Sequence, residues 1–159
     1  MSHTTSPESS SALPEPVAPF AHYRPVRRHG DLLYVSGQVA YADGGFPIRG
    51  RLGAEVSTVD GQRAARQCAL NLLAQADREL GGLDRIDAVL KVTVFVSSGP
   101  DFLDHHLVAN GASDTFVEML GVSGEHARSA VGVARLPMDS PVEVEAVLSI
   151  TADGPRAVS

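Results

Sequence analysis

The chain has a single cysteine, Cys68, so neither an internal disulfide nor a site built from several thiolates is available to it. Nothing then requires an oxidising compartment, and the cytoplasm is the expected one. No apolar run approaches the ~20 residues that cross a bilayer as a helix, so no membrane association is expected. Basic residues are outnumbered, 13 Lys plus Arg against 19 Asp plus Glu, and the net charge of −6 repels phosphate backbones. Nucleic acid is therefore not an expected partner. G-x-G-x-x-G, the Walker loop and G-x-S-x-G are all absent, which removes support for a nucleotide cofactor and for a serine nucleophile elbow. His105 and His106 are adjacent, so on a helix they point to different sides, and no acidic or thiol cluster completes a metal site around them. No metal and no cofactor are expected.

What is present suits one globular domain: 159 residues, 43% hydrophobic and 20% charged. Residues 1–19 are rich in Ser, Thr and Pro and lack a basic start followed by an apolar stretch. They read as a disordered tail rather than a secretory signal. The domain is expected over residues 20–151, with a frayed tail over 152–159.

Within it, Tyr23–Arg28 and Leu32–Val35 read as strands separated by the turn residues His29-Gly30-Asp31. The second ends at Ser36-Gly37-Gln38, where glycine permits a bulge or a close backbone approach. After a glycine-rich excursion over 41–56, Ser57 and Asp60 have capping-box spacing. Ala65, Cys68, Ala69, Leu72, Leu73, Ala76 and Leu80 then fall on one helical face, ended by Gly81-Gly82. Cys68 on that face reads as a packing residue. Val89–Val96 is a strand with Leu90, Val92, Val94 and Val96 on its core side, and 101–120 is a helical region with a break expected near Asn110-Gly111. Strands at Ser129–Arg135 and Val142–Thr151 follow, joined by Leu136–Pro141 and expected to form a hairpin.

The last strand carries the chemistry. Alternation puts Val142, Val144, Ala146, Leu148 and Ile150 on one face and Glu143, Glu145, Val147 and Ser149 on the other, so two carboxylates share a face. That face reads either as solvated or as a site with a cationic partner. Arg128 is the candidate partner: it shares its face with the small residues Ala130, Gly132 and Ala134, and its planar fork holds a carboxylate in a way lysine does not.

From Tyr23 to Ile150 the sequence resembles the Rid (reactive intermediate deaminase) family, also called the YjgF-type or endoribonuclease L-PSP family. The resemblance rests on Tyr23 ahead of Ser36-Gly37-Gln38, on Val92–Val96, on Asn110 with Phe116, and above all on ARSAVGVARLP (127–137) followed by VEVEA (142–146). It implies an α+β, chorismate-mutase-like fold, a mixed sheet with two helices packed on one face, assembled as a homotrimer with intersubunit clefts. It implies cofactor-independent hydrolysis of enamines and imines such as 2-aminoacrylate to a 2-keto acid and ammonia. By position, Arg128 would bind the carboxylate of a small substrate and Glu143 would activate water, with Glu145 raising the pair's pKa by like-charge repulsion. Tyr23, Ser36, Gly37, Asn110 and Ala130 would line the cleft.

The chain departs from the family pattern at Ala21-His22 before the tyrosine, at His126 in place of a proline, and at Ala130 in place of a frequent cysteine. These changes alter the cleft wall, so either a ligand larger than 2-aminoacrylate or a shift from deamination to a related hydrolysis, tautomerisation or cyclisation is expected, and two further readings stay open. One is a non-catalytic protein that binds carboxylate metabolites; the other is a tailoring enzyme of specialised metabolism, a tautomerase or cyclase. A regular hairpin between the last two strands would hold the Arg128 and Glu143 backbones roughly 20 Å apart at ~3.3 Å per residue, which predicts a site shared between subunits.

Overall fold

The computed structural model describes residues 12–152. The first helix, α1 (Thr58–Leu80), begins where the spacing predicts: Ser57 is its N-cap, its hydroxyl accepting from the Asp60 N–H at 3.1 Å. It ends at Gly81, whose φ of 76° lets its N–H turn back to the Asp77 carbonyl at 2.7 Å. All seven residues assigned to its apolar face are buried, Cys68 among them.

The second helix, α2 (His105–Leu120), runs unbroken through Asn110-Gly111, contrary to the expected break. Glycine inside a helix costs about 1 kcal/mol relative to alanine, so a packing reason is needed. The reason is the crossing of the two helices: a Cβ at Gly111 would overlap the Gln62 backbone of α1, lying 2.8 Å from its Cα. Across the same contact Arg66 forms a two-pronged ion pair with Glu118, and the Gln62 amide donates to the Leu107 carbonyl at 2.9 Å.

Five strands form one mixed sheet in the order β1-β2-β5-β3-β4: β1 (Val26–His29), β2 (Leu32–Val39), β3 (Ile86–Ser97), β4 (Ala127–Val133) and β5 (Val142–Ile150). The expected final hairpin does not form. β3 lies between β4 and β5, parallel to the first and antiparallel to the second. The helix between β3 and β4 makes a crossover that returns β4 parallel on the outer edge, and β5, the strand with the cleaner apolar alternation, fills the centre beside β2.

Both helices lie on one face of this sheet, and the core is closed between them by Leu33, Val35, Val92, Val94, Val144, Ala146 and Leu148. Leu90 does not join it. A register shift between Val89 and Lys91 reverses the alternation there, so Val89 is buried and Leu90 is 42% exposed. Among the described residues no element covers the other face, which carries Arg27, Tyr34, Thr93, Phe95, Val131, Glu143, Glu145 and Val147.

Part of the expected tail is structured. Residues 12–19 lie against the domain, with Leu13 packed on the core and the Val17 carbonyl accepting from the Gln75 amide at 2.6 Å. Residues 1–11 and 153–159, the remainder of the two expected tails, lie outside the described residues.

Candidate active site

The bulge allowed by Ser36-Gly37 is present. Val35 pairs with Ala146 and Gln38 with Val144, so two residues of β2 stand opposite Glu145 alone. The close approach allowed by the same glycine is present too: a Cβ on Gly37 would overlap the Glu143 carboxyl oxygen outright and sit 2.7 Å from its Cδ. The missing side chain is therefore the space in which the Glu143 carboxyl rests. Burial, and after it repulsion from Glu145, holds this carboxyl above the usual carboxylate range. Among the described residues no side chain or backbone N–H donates to it. It is a half-buried carboxylate with its proton affinity raised and its lone pairs uncommitted, the condition of a general base or acid.

Glu143 and Gly37 line a cavity of about 300 Å³ together with Tyr23, Gln38, Val39, Tyr41, Met138 and the strap Val17–Ala21. Ser36 is not on that wall. Its hydroxyl donates to the Pro25 carbonyl at 3.0 Å, bracing the segment that carries Tyr23, and it lines an adjoining hollow with Arg24, Arg27, Lys91 and Glu145.

Arg128 stands elsewhere. It pairs with Val92 of β3, and its side chain rises on the helix-bearing face to α2. There one guanidinium nitrogen donates to Asn110 Oδ1 and to Ser113 Oγ, both at 3.0 Å, and the other to the His106 carbonyl at 3.1 Å. Every partner is uncharged, so the positive charge is held in place without being neutralised. Among the described residues the Nε–H and one terminal N–H have no partner, the number of donors one carboxylate needs for a two-pronged contact. Ala130, two residues on, faces the same side and packs against the core.

Two contributors here are not among the site residues expected from the sequence. Ser113 lies one helical turn after Asn110, a spacing that would have placed it on the same face. His126 was visible only as a departure from the family pattern. Its Nδ1 lies 2.6 Å from the Gly124 carbonyl, which requires a proton on that nitrogen; in the neutral ring Nε2 then accepts from the Ser113 hydroxyl at 2.8 Å. Ser113 in turn accepts from Arg128, so the order of donors runs from the guanidinium to the Gly124 carbonyl.

The structure thus separates the expected site into two halves on opposite faces of one sheet. Glu143, Gly37 and Tyr23 stand on one side, and Arg128, Asn110 and Ala130 on the other. Cys68 takes no part: it is wholly buried, its thiol donates to the Val142 carbonyl at 3.3 Å, and burial, then the nearby Glu143 charge, pushes its pKa well up.

A mixed five-stranded sheet with two helices packed on one face defines an α+β protein. The sequence pattern of the endoribonuclease L-PSP family matches residues 13–150. Protein TCP17 of Trypanosoma cruzi is 45% identical over 87% of each chain, and a 2-iminobutanoate/2-iminopropanoate deaminase of Dermatophagoides farinae is 30% identical over 89% of this chain and 94% of its own. The crystal structure of Atu1372 from Agrobacterium tumefaciens, a protein of unknown function, superposes with a TM-score of 0.81 at 45% identity, covering 82% of this chain and 83% of that one. The chain belongs to the endoribonuclease L-PSP family, also known as the YjgF or Rid family.

Proposed function

We propose that this protein hydrolyses enamine or imine intermediates bearing a carboxylate to a 2-keto acid and ammonia, without a cofactor, in the cytoplasm. The observation that carries the reading is the uncommitted, proton-attracting carboxyl of Glu143 resting against the Gly37 backbone. Hydrolysis of an imine needs a proton on nitrogen, an attacking water, removal of a proton from that water, and release of ammonia. One carboxyl group of raised pKa moves these protons in turn. The name of the 30% identical deaminase supports the same chemistry.

The substrate carboxylate belongs on Arg128, whose free donors and unneutralised charge suit it. Because Arg128 and Glu143 lie on opposite faces of the sheet, one small ligand does not reach both within a chain. The site is therefore assembled between subunits of a homotrimer with the chorismate-mutase-like arrangement, the uncovered sheet face packing against its neighbours and bringing Glu143 of one chain to Arg128 of the next. Ribonuclease activity is disfavoured by the net charge of −6.

The test is subunit mixing. Arg128→Ala and Glu143→Gln trimers, each inactive alone, are dissociated, combined and reassembled, and ammonia release is followed from imines generated in situ. Shared sites restore part of the activity. No recovery after verified exchange, or a monomer by light scattering, refutes the shared site. Unchanged ammonia release in Glu143→Gln refutes the role of the carboxyl.

A further inference from the structure

The cavity beside Glu143 is larger and more apolar than a methyl or methylene group requires. Its wall carries the Glu143 carboxyl, which rests against Gly37, with Gln38, Tyr23 and Tyr41, and the apolar residues Val17, Phe20 and Met138. About 300 Å³ is the space of roughly ten water molecules, whereas a 2-aminoacrylate side group displaces only one or two of them.

The wall is braced by aromatic contacts. Phe20 packs edge-on against Tyr41 at 6.0 Å, Tyr41 against Phe46 at 5.5 Å, and the Arg49 guanidinium lies 5.6 Å from the Phe46 ring centre. Met138, also on this wall, has a φ of 58°, as does Asp139 after it. Bulky side chains avoid this left-handed region, and residues kept in it tend to sit at functional sites. Here the turn is tied down by the Arg135–Asp139 ion pair at 2.8 Å and by the Gly50 N–H donating to the Asp139 carbonyl at 3.0 Å. From this turn Met138, 48% exposed, lines the cavity.

We infer that this cavity is a side-chain subsite, selecting 2-imino acids with a branched or aromatic apolar side chain over those derived from alanine or serine, and that Met138 is a residue determining that preference. The inference rests on the hydrolytic reading above for the reaction and on the cavity alone for the selectivity. Each buried methylene is worth roughly fourfold in affinity, so an isobutyl group in place of a methyl is expected to gain roughly fiftyfold.

Two measurements separate the inferences. The first is calorimetric binding of the stable 2-keto acids pyruvate, 4-methyl-2-oxopentanoate and phenylpyruvate to the intact protein. The second is ammonia release from the imines that an amino-acid oxidase forms from alanine, leucine and phenylalanine. The expected result is binding of both larger acids at least tenfold tighter than pyruvate, with the same order in kcat/KM. Met138→Gly relieves the left-handed backbone and so folds; it should reduce the preference for 4-methyl-2-oxopentanoate over pyruvate at least fivefold. Preference for the larger acids with no imine hydrolysed would refute the reaction and leave the subsite standing. Imines hydrolysed without regard to side-chain size, equal binding of all three acids, no binding of any, or an unaltered preference in Met138→Gly would overturn the subsite.

Discussion

Replacing Gly37 by alanine is expected to separate activity from stability. Gly37 is not among the residues with positive φ, so the backbone accepts alanine without strain, and the only obstacle is space. That space is filled by the carboxyl end of Glu143, with Cδ 2.7 Å and Cγ 3.0 Å from the added methyl. These are the outer atoms of a half-exposed flexible side chain, which turns aside by a displacement on the order of 1 Å without moving β5. A shift of that size at a reacting group costs about 10²-fold in rate. Stability, by contrast, should hold or rise by about 0.4–1 kcal/mol, because alanine reduces the entropy of the unfolded chain. Steady-state kinetics on imines generated in situ, beside urea unfolding of the same preparations, read both quantities. A kcat within threefold of the parent would refute the placement of Glu143 as the reacting carboxyl. Loss of cooperative folding would show that the Glu143 side chain cannot move aside.

The same geometry sets further expectations. Arg128→Lys should raise KM for a carboxylate substrate on the order of tenfold or more with little loss of structure, since an ammonium cannot reproduce the fork that meets Asn110, Ser113 and the His106 carbonyl. Ser113→Ala, removing one of these partners, should give a smaller rise, about fivefold for a bond worth ~1 kcal/mol, and an unaltered KM would mean that Ser113 does not orient the guanidinium. Glu143 has a folded pKa above its unfolded value, so the folded state holds its proton more tightly. Stability should rise as pH falls from above that raised value towards the ordinary carboxylate range. Glu143→Gln should lose this component, which urea midpoints measured from pH 7 down to 4.5 would detect as a flatter profile. Gly111→Ala should destabilise even though alanine is the better helix former by about 1 kcal/mol, because the added methyl meets Gln62 backbone and not a movable side-chain end. A net loss of roughly 1–3 kcal/mol corresponds to a fall in Tm of about 2–4 °C per kcal/mol, and an unchanged or raised Tm would show that the helices part easily.

The local elements of this protein are written in its sequence because their causes are local. The Ser57 cap, the left-handed Gly81, the buried stripe from Ala65 to Leu80 and the alternation of β5 each depend on residues within a few positions of one another. The candidate residues were legible for the same reason: Glu143 on the polar side of a regular strand, Arg128 among small neighbours, and Gly37, where the sequence suggested that the second strand ends and where β2 instead bulges and runs on to Val39. Tertiary structure decided what those residues meet. Alternation along β4 and β5 does not say that β3 lies between them, because strand order is settled by crossover geometry and by which strand buries the most apolar surface. One extra residue at the Val89–Lys91 irregularity moved Leu90 to the open face, where a period-two count had put it in the core. Gly111 looked like a helix breaker until Gln62 of α1, 49 positions earlier, supplied the reason for it. The division of the site between two faces of the sheet, and the apolar cavity closed by residues as distant as Val17 and Met138, arise only when remote segments are brought together. No short-range pattern encodes that distance.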